Sequence, residues 1–128
     1  MGYRSEVALT LHKGDMIDLF SKAKEAGEGI YEFLEYAKLI KHTDEYVSLY
    51  WDWVKWYDGY AEVDFVSDFC NQLLDDDKDY SFKRIGEDNE DYESTYNGEY
   101  EIDEYVEFAR RFETDWAAET TIDDLKCA

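Results

Sequence analysis

Proline is absent from this 128-residue chain, and cysteine occurs only twice, at Cys70 and Cys127. With no proline and no Gly/Ser-rich stretch, nothing marks a stiff or flexible linker between domains. Two cysteines are too few for a disulfide framework, and neither sits in a CxxC spacing. That favours a reducing, cytosolic setting, with Cys70 as a core thiol. Long apolar runs are missing too: none approaches the roughly 20 residues a membrane span needs. The start, MGYRSEVALTLHKGD, carries Glu6 and lacks the apolar stretch of a signal peptide.

The largest deficit is in positive charge. Thirteen Lys and Arg face 33 Asp and Glu, a formal net charge of −20. Solubility asks for a magnitude of roughly 2–8 in a small domain, and the surplus costs self-repulsion in the compact state. Duplex nucleic acid and anionic membrane both need a basic face and are disfavoured as direct partners. Basic proteins and cations are favoured.

What is present is core material. Hydrophobic residues make up 45% of the chain and aromatics 18%, against intrinsic disorder. The length suits one domain, residues 1–128.

Residues 3–11 alternate Val7, Leu9 and Leu11 with Glu6, Ala8 and Thr10, a strand pattern. Gly14-Asp15 then predicts a helix start, with Asp15 as N-cap. Its apolar stripe runs through Met16, Leu19, Phe20, Ala23, Ile30, Phe33, Leu34 and Ala37. A helix of about 25 residues would be ~38 Å long, so a kink or break is expected at Gly27-Glu28-Gly29. Residues 45–57 read as a central strand, with Val47, Leu49, Trp51 and Trp53 on one side and Tyr46, Ser48, Tyr50, Asp52 and Val54 on the other. A second helix is predicted over 62–75 and a short strand over Tyr80 to Ile85. Asn97-Gly98 predicts a type I′ hairpin joining 92–96 to 99–106. Strand is favoured to about 112, and the last ~12 residues are expected to be loosely held. The fold class is therefore α+β: two layers, one mixed, mostly antiparallel sheet with two helices, one of them kinked, on one face.

Motifs for chemistry are few. His12 and His42 do not have metal-pair spacing and read as solvated side chains beside loops. No Gly-rich phosphate loop, nucleophile elbow or HExxH occurs. Asp75, Asp77 and Asp79 fit positions 1, 3 and 5 of an EF-hand loop, but Tyr80 and Gly86 stand where Gly and Glu are needed. Chance pairs of carboxylates carry no signal among 33 acids. No catalytic residue, metal or cofactor is expected.

The acids are unevenly placed. The first 61 residues hold 11 acids and seven bases; residues 75–104 alone hold 13 acids and three bases. These acids are Asp75, Asp76, Asp77, Asp79, Glu87, Asp88, Glu90, Asp91, Glu93, Glu99, Glu101, Asp103 and Glu104. On the predicted hairpin, Glu99, Glu101 and Asp103 share a face with Tyr92 and Tyr96. Carboxylates at i and i+2 of a strand lie about 6.6–6.8 Å apart, a spacing on the scale of successive phosphates. Such a row, with Tyr92, Tyr96 and Tyr100 for apolar contact, is suited to standing in for a nucleic-acid backbone. A solvated acidic face, or a halophilic surface, is the plainer explanation of the same charge.

The segments MGYRSEV, WDWVKWYDGY and FKRIGED resemble small uncharacterised proteins carried by bacteriophages and prophages. In size and acidity the chain resembles phage-encoded anti-CRISPR proteins and anti-restriction DNA mimics. The resemblance implies a non-enzymatic inhibitor in the host bacterial cytosol. Its partner would be a basic nucleic-acid-binding complex, such as a CRISPR effector, restriction enzyme or nuclease. An immunity protein against a basic nuclease toxin, and a phage accessory or assembly protein, are the rival expectations.

Overall fold

The computed structural model describes residues 4–57, 59–88, 91–98, 106–107, 113–114 and 119–127, with the side chains of 106, 107, 113, 114 and 127 excepted. Strand β1 (Ser5–His12) lies at the centre of the sheet, between β3 (Tyr46–Val54) and β4 (Tyr80–Gly86). Beyond β3 come β2 (Lys38–Lys41) and the two-residue β8 (Glu119–Thr120); beyond β4 comes β5 (Tyr92–Asn97). Every pairing in this six-stranded sheet is antiparallel, so the expected mixed character is corrected to antiparallel throughout. Two short strands, β6 (Val106–Glu107) and β7 (Glu113–Thr114), pair with each other. With α3 (Ala61–Asp75) between β3 and β4, the neighbours β4-β1-β3-β2 have the connectivity of a ferredoxin-like split βαβ unit, extended at both edges.

Gly27 breaks the long apolar stripe into α1 (Lys13–Ala26) and α2 (Glu28–Tyr36). Its φ of 151° and ψ of 155° lie where only glycine is at ease, its N–H closes α1 on Ala23, and its carbonyl opens α2 to Tyr31. The expected start is corrected: α1 begins at Lys13, tied by its N–H to the Glu45 carbonyl at 2.7 Å, and Asp15 sits in the first turn. At the other end of α2, the Trp51 indole N–H donates to the Phe33 carbonyl at 3.0 Å, supplying a partner to one of the last-turn carbonyls that a helix leaves open.

Val7, Leu9 and Leu11 pack with Met16, Leu19, Phe20, Leu34, Val47, Leu49, Trp51, Val66, Leu73 and Leu125 in one cluster, so the helices share one face of the sheet. The opposite face is buried as well, at Glu6, Ala8, Thr10, Tyr46, Ser48, Ser81 and Lys83. A two-layer arrangement would leave that face to solvent; the central strands are instead covered on both sides. The register of β1 against β3 slips between Ser5↔Val54 and Val7↔Trp51, a bulge on β3. It corrects the predicted face: Val54 returns to the core, and Trp53 turns outward at 43% exposure. The C-terminal segment, where it is described, joins the sheet and the core. Glu119–Thr120 pairs with Leu39 and Ile40, and helix α4 (Ile122–Cys127) places Leu125 in the core at 2% exposure.

Candidate partner-binding surface

Helix α3 ends in a Schellman motif. The Lys78 N–H reaches the Leu73 carbonyl at 2.8 Å and the Asp77 N–H reaches Leu74 at 3.0 Å, with Asp77 at φ 55° where glycine is usual. Asp75, Asp76 and Asp77 are exposed there. Asp79, next along, is half-buried: His12 Nε2 lies 3.1 Å from its Oδ2, and a Cβ at Gly98 would overlap its carboxylate. Asn97 ends β5 opposite Tyr80, its amide bound to the Lys78 carbonyl at 2.9 Å. Only Gly98 of the Asn-Gly pair has positive φ, so the type I′ assignment is corrected.

The second acidic group sits at the far end of β4, roughly 20 Å away at the rise of a strand. Glu87 and Asp88 are exposed on the β4–β5 turn, and Glu87 accepts the Arg4 backbone N–H at 2.8 Å. Asp91 and Glu93 do not stand free. Arg84, 11% exposed along its side chain, gives both oxygens of Asp91 hydrogen bonds of 2.7 and 3.2 Å. It also contacts Glu93 at 2.8 and 3.0 Å and Ser5 Oγ at 3.0 Å. The Asp91 hydrogen bonds, chiefly, raise the guanidinium pKa further above its ordinary value. One cation thus holds two carboxylates, leaving a local surplus of one negative charge.

Of the predicted surface, the turns at Asp75–Asp77 and Glu87–Asp88 bracket the β4–β5 pair, and Tyr92 and Tyr96 project between them, 62% and 47% exposed. Glu90, Glu99, Tyr100, Glu101, Asp103 and Glu104 lie outside the described residues, and with them the predicted carboxylate row.

A cleft of about 420 Å³ beside Arg84 was not anticipated; Trp56, Tyr57, Ser67, Phe82, Asp91 and Glu93 complete its lining. Its aromatic wall continues into the core: ring centroids are 5.6 Å apart for Phe82–Trp56, 5.4 Å for Trp56–Trp51 and 5.0 Å for Trp51–Phe33. The signal in the sequence was the density of WDWVKWYDGY, in which Trp56 follows the end of the strand at Val54 and packs against Trp51.

Both histidines are half-buried and hydrogen-bonded, which corrects the solvated reading. His42 Nε2 lies 2.8 Å from Ser48 Oγ, yet Ser48 is 0% exposed within a central strand, so its hydroxyl is not presented to a substrate. Burial pushes the Cys70 thiol up to about 12, well away from thiolate chemistry at neutral pH. Among the described residues, no three His, Cys, Asp or Glu side chains converge as metal ligands, and no helix is long and apolar enough to cross a membrane.

No protein-family model, no curated protein and no solved structure matches this chain. The connectivity of the sheet does not identify a function either, because one fold hosts many.

Proposed function

We propose that the protein is a non-enzymatic inhibitor that occupies the nucleic-acid-binding face of a basic partner, a host defence complex in the phage setting that the sequence resembles. The observation that carries this is the pair of exposed acidic turns, Asp75–Asp77 and Glu87–Asp88, set at the two ends of β4–β5 with exposed Tyr92 and Tyr96 between them. Carboxylates at such positions pair with Lys and Arg that otherwise hold phosphates, and the tyrosines add contact area with little entropy cost. Asp91 and Glu93 play a different part: bound to Arg84, they shape the hairpin that presents the rest.

The test is capture from a bacterial lysate by the wild-type protein and by a variant carrying Asp75→Lys, Asp76→Lys, Glu87→Lys and Asp88→Lys. The wild type is expected to retain basic nucleic-acid-binding proteins that duplex DNA displaces and that rising salt releases. The variant, folded by circular dichroism, is expected to lose them by at least tenfold. Equal capture by the two, or capture indifferent to DNA, overturns the proposal.

A further inference from the structure

Charge on the helices is segregated in a way that the 75–104 region does not reveal. Helix α1 carries Lys13, Lys22 and Lys24 against Asp15, Asp18 and Glu25. Helix α2 carries Glu28, Glu32 and Glu35, and α3 carries Glu62, Asp64, Asp68 and Asp75, with no Lys or Arg in either. Between α2 and the start of α3 lies an open groove of about 490 Å³.

Its form follows from small residues. Ala26, Gly27, Gly29 and Ala61 withhold side chains where the helices approach, and a Cβ at Gly29 would meet nothing within 4 Å. Ile30 and Phe33 form the apolar floor, while Tyr36, a large aromatic, stands at the end, 78% exposed. Glu32 and Glu62 complete the lining. On α2 the stripe from Gly29 to Tyr36 is about 10 Å long at the helical rise, which matches roughly two turns of a bound helix.

We propose that this groove docks a basic amphipathic segment of a protein partner. The apolar face of the segment covers Ile30, Phe33 and Tyr36, and its Lys and Arg meet Glu32 and Glu62. This is a helix-in-groove mode with an aromatic anchor at one end. Charge decides among the occupants. A second copy would bring its own acidic α2–α3 face against this one, and an anionic membrane surface is repelled by the same carboxylates. The site is separate from the acidic turns of β4–β5 and does not depend on the role proposed for them.

The groove supplies its own reporters, since Gly27 and Gly29 amides fall in the distinctive glycine region of a ¹H–¹⁵N spectrum. The ¹⁵N-labelled full chain is titrated with a helical Leu/Lys peptide and with its Leu/Glu counterpart. The Leu/Lys peptide is expected to shift Gly27, Gly29 and Tyr36 saturably, and the Leu/Glu peptide to shift none of them. Gly29→Leu fills open space on a helix and so keeps the fold, yet is expected to weaken binding at least tenfold; Tyr36→Ala and the pair Glu32→Lys with Glu62→Lys are expected to do the same. Absence of saturable shifts overturns the proposal, as does equal binding by Gly29→Leu. Shifts confined to residues 75–77 and 87–88 overturn it too, while leaving the β4–β5 proposal standing. Concentration-dependent shifts without peptide would instead identify a second copy as the occupant and overturn it.

Discussion

On the helix side of the sheet, Val7, Leu9 and Leu11 of β1 meet Val47, Leu49 and Trp51 of β3 in a wholly apolar layer. On the other side of the same two strands, Glu6, Thr10 and Ser48 are as deeply buried but polar. Thr10 and Ser48 hydroxyls are 2.6 Å apart, His42 reaches Ser48, and the Tyr50 hydroxyl donates to Glu6 at 2.6 Å. The apolar layer is held by area removed from water, which is additive and indifferent to direction. The polar layer gains little net from each hydrogen bond and loses much when a buried group is deprived of its partner. One face supplies area removed from water; the other adds side-chain hydrogen bonds that depend on the observed register.

That contrast fixes the order of expected effects. Trp51→Ala removes a fully buried ring and the N–H that serves the Phe33 carbonyl. It should cost about 3–5 kcal/mol in urea unfolding. Across the sheet, Tyr50→Phe keeps nearly all the buried area and deletes one donor to Glu6, so the expected cost is about 1–3 kcal/mol. If the two losses prove equal, the polar face is as much a source of stability as the apolar one.

Alkaline pH separates the faces further. Tyr50 is raised well above its ordinary value by burial first and by its bonds to Glu6 next; Tyr31 and Tyr80 are raised by burial, and Cys70 to about 12. Each keeps its proton in the folded state after the unfolded chain has lost it. Their stabilisation is therefore complete below about pH 9, the ordinary range of the thiol, and falls as pH climbs through the range of the phenols. Unfolding free energies measured at pH 8 and pH 10.5 should show the drop, and Tyr50→Phe should make it shallower. A flat profile would remove Tyr50 as its cause. Ser48→Ala, which leaves Thr10 and His42 each short of one partner, is expected to cost about 1–3 kcal/mol by the same measurement.

Legibility followed the same division. The alternation at Val7, Leu9 and Leu11 and the stripe at Met16, Leu19, Phe20 and Ala23 are local periodicities, and both elements stand where those patterns put them. Strand β2 was not foreseen because KLIK has only two apolar residues; it exists by pairing with β3. Strand β8 and Leu125 escaped for the same reason, since an edge strand of two residues has no pattern of its own. The bulge on β3 is set by its pairing with β1 and could not be read from either strand alone.

For the acidic surface, composition and the bias towards residues 75–104 were plain from counting. Which of those carboxylates an arginine draws together was not. Asp91 and Glu93 share one cation because Arg84, seven and nine residues away, is brought beside them by the β4–β5 register. The groove between α2 and α3 was hidden more completely, its lining being drawn from segments 25 residues and more apart in part, Gly29 and Glu62 among them. Local sequence determined the elements, the break at Gly27 and the sign of the field, because those depend on neighbours along the chain. The tertiary structure decided which charges are spent on the fold and where concavity lies, because both depend on residues that meet only when the chain is folded.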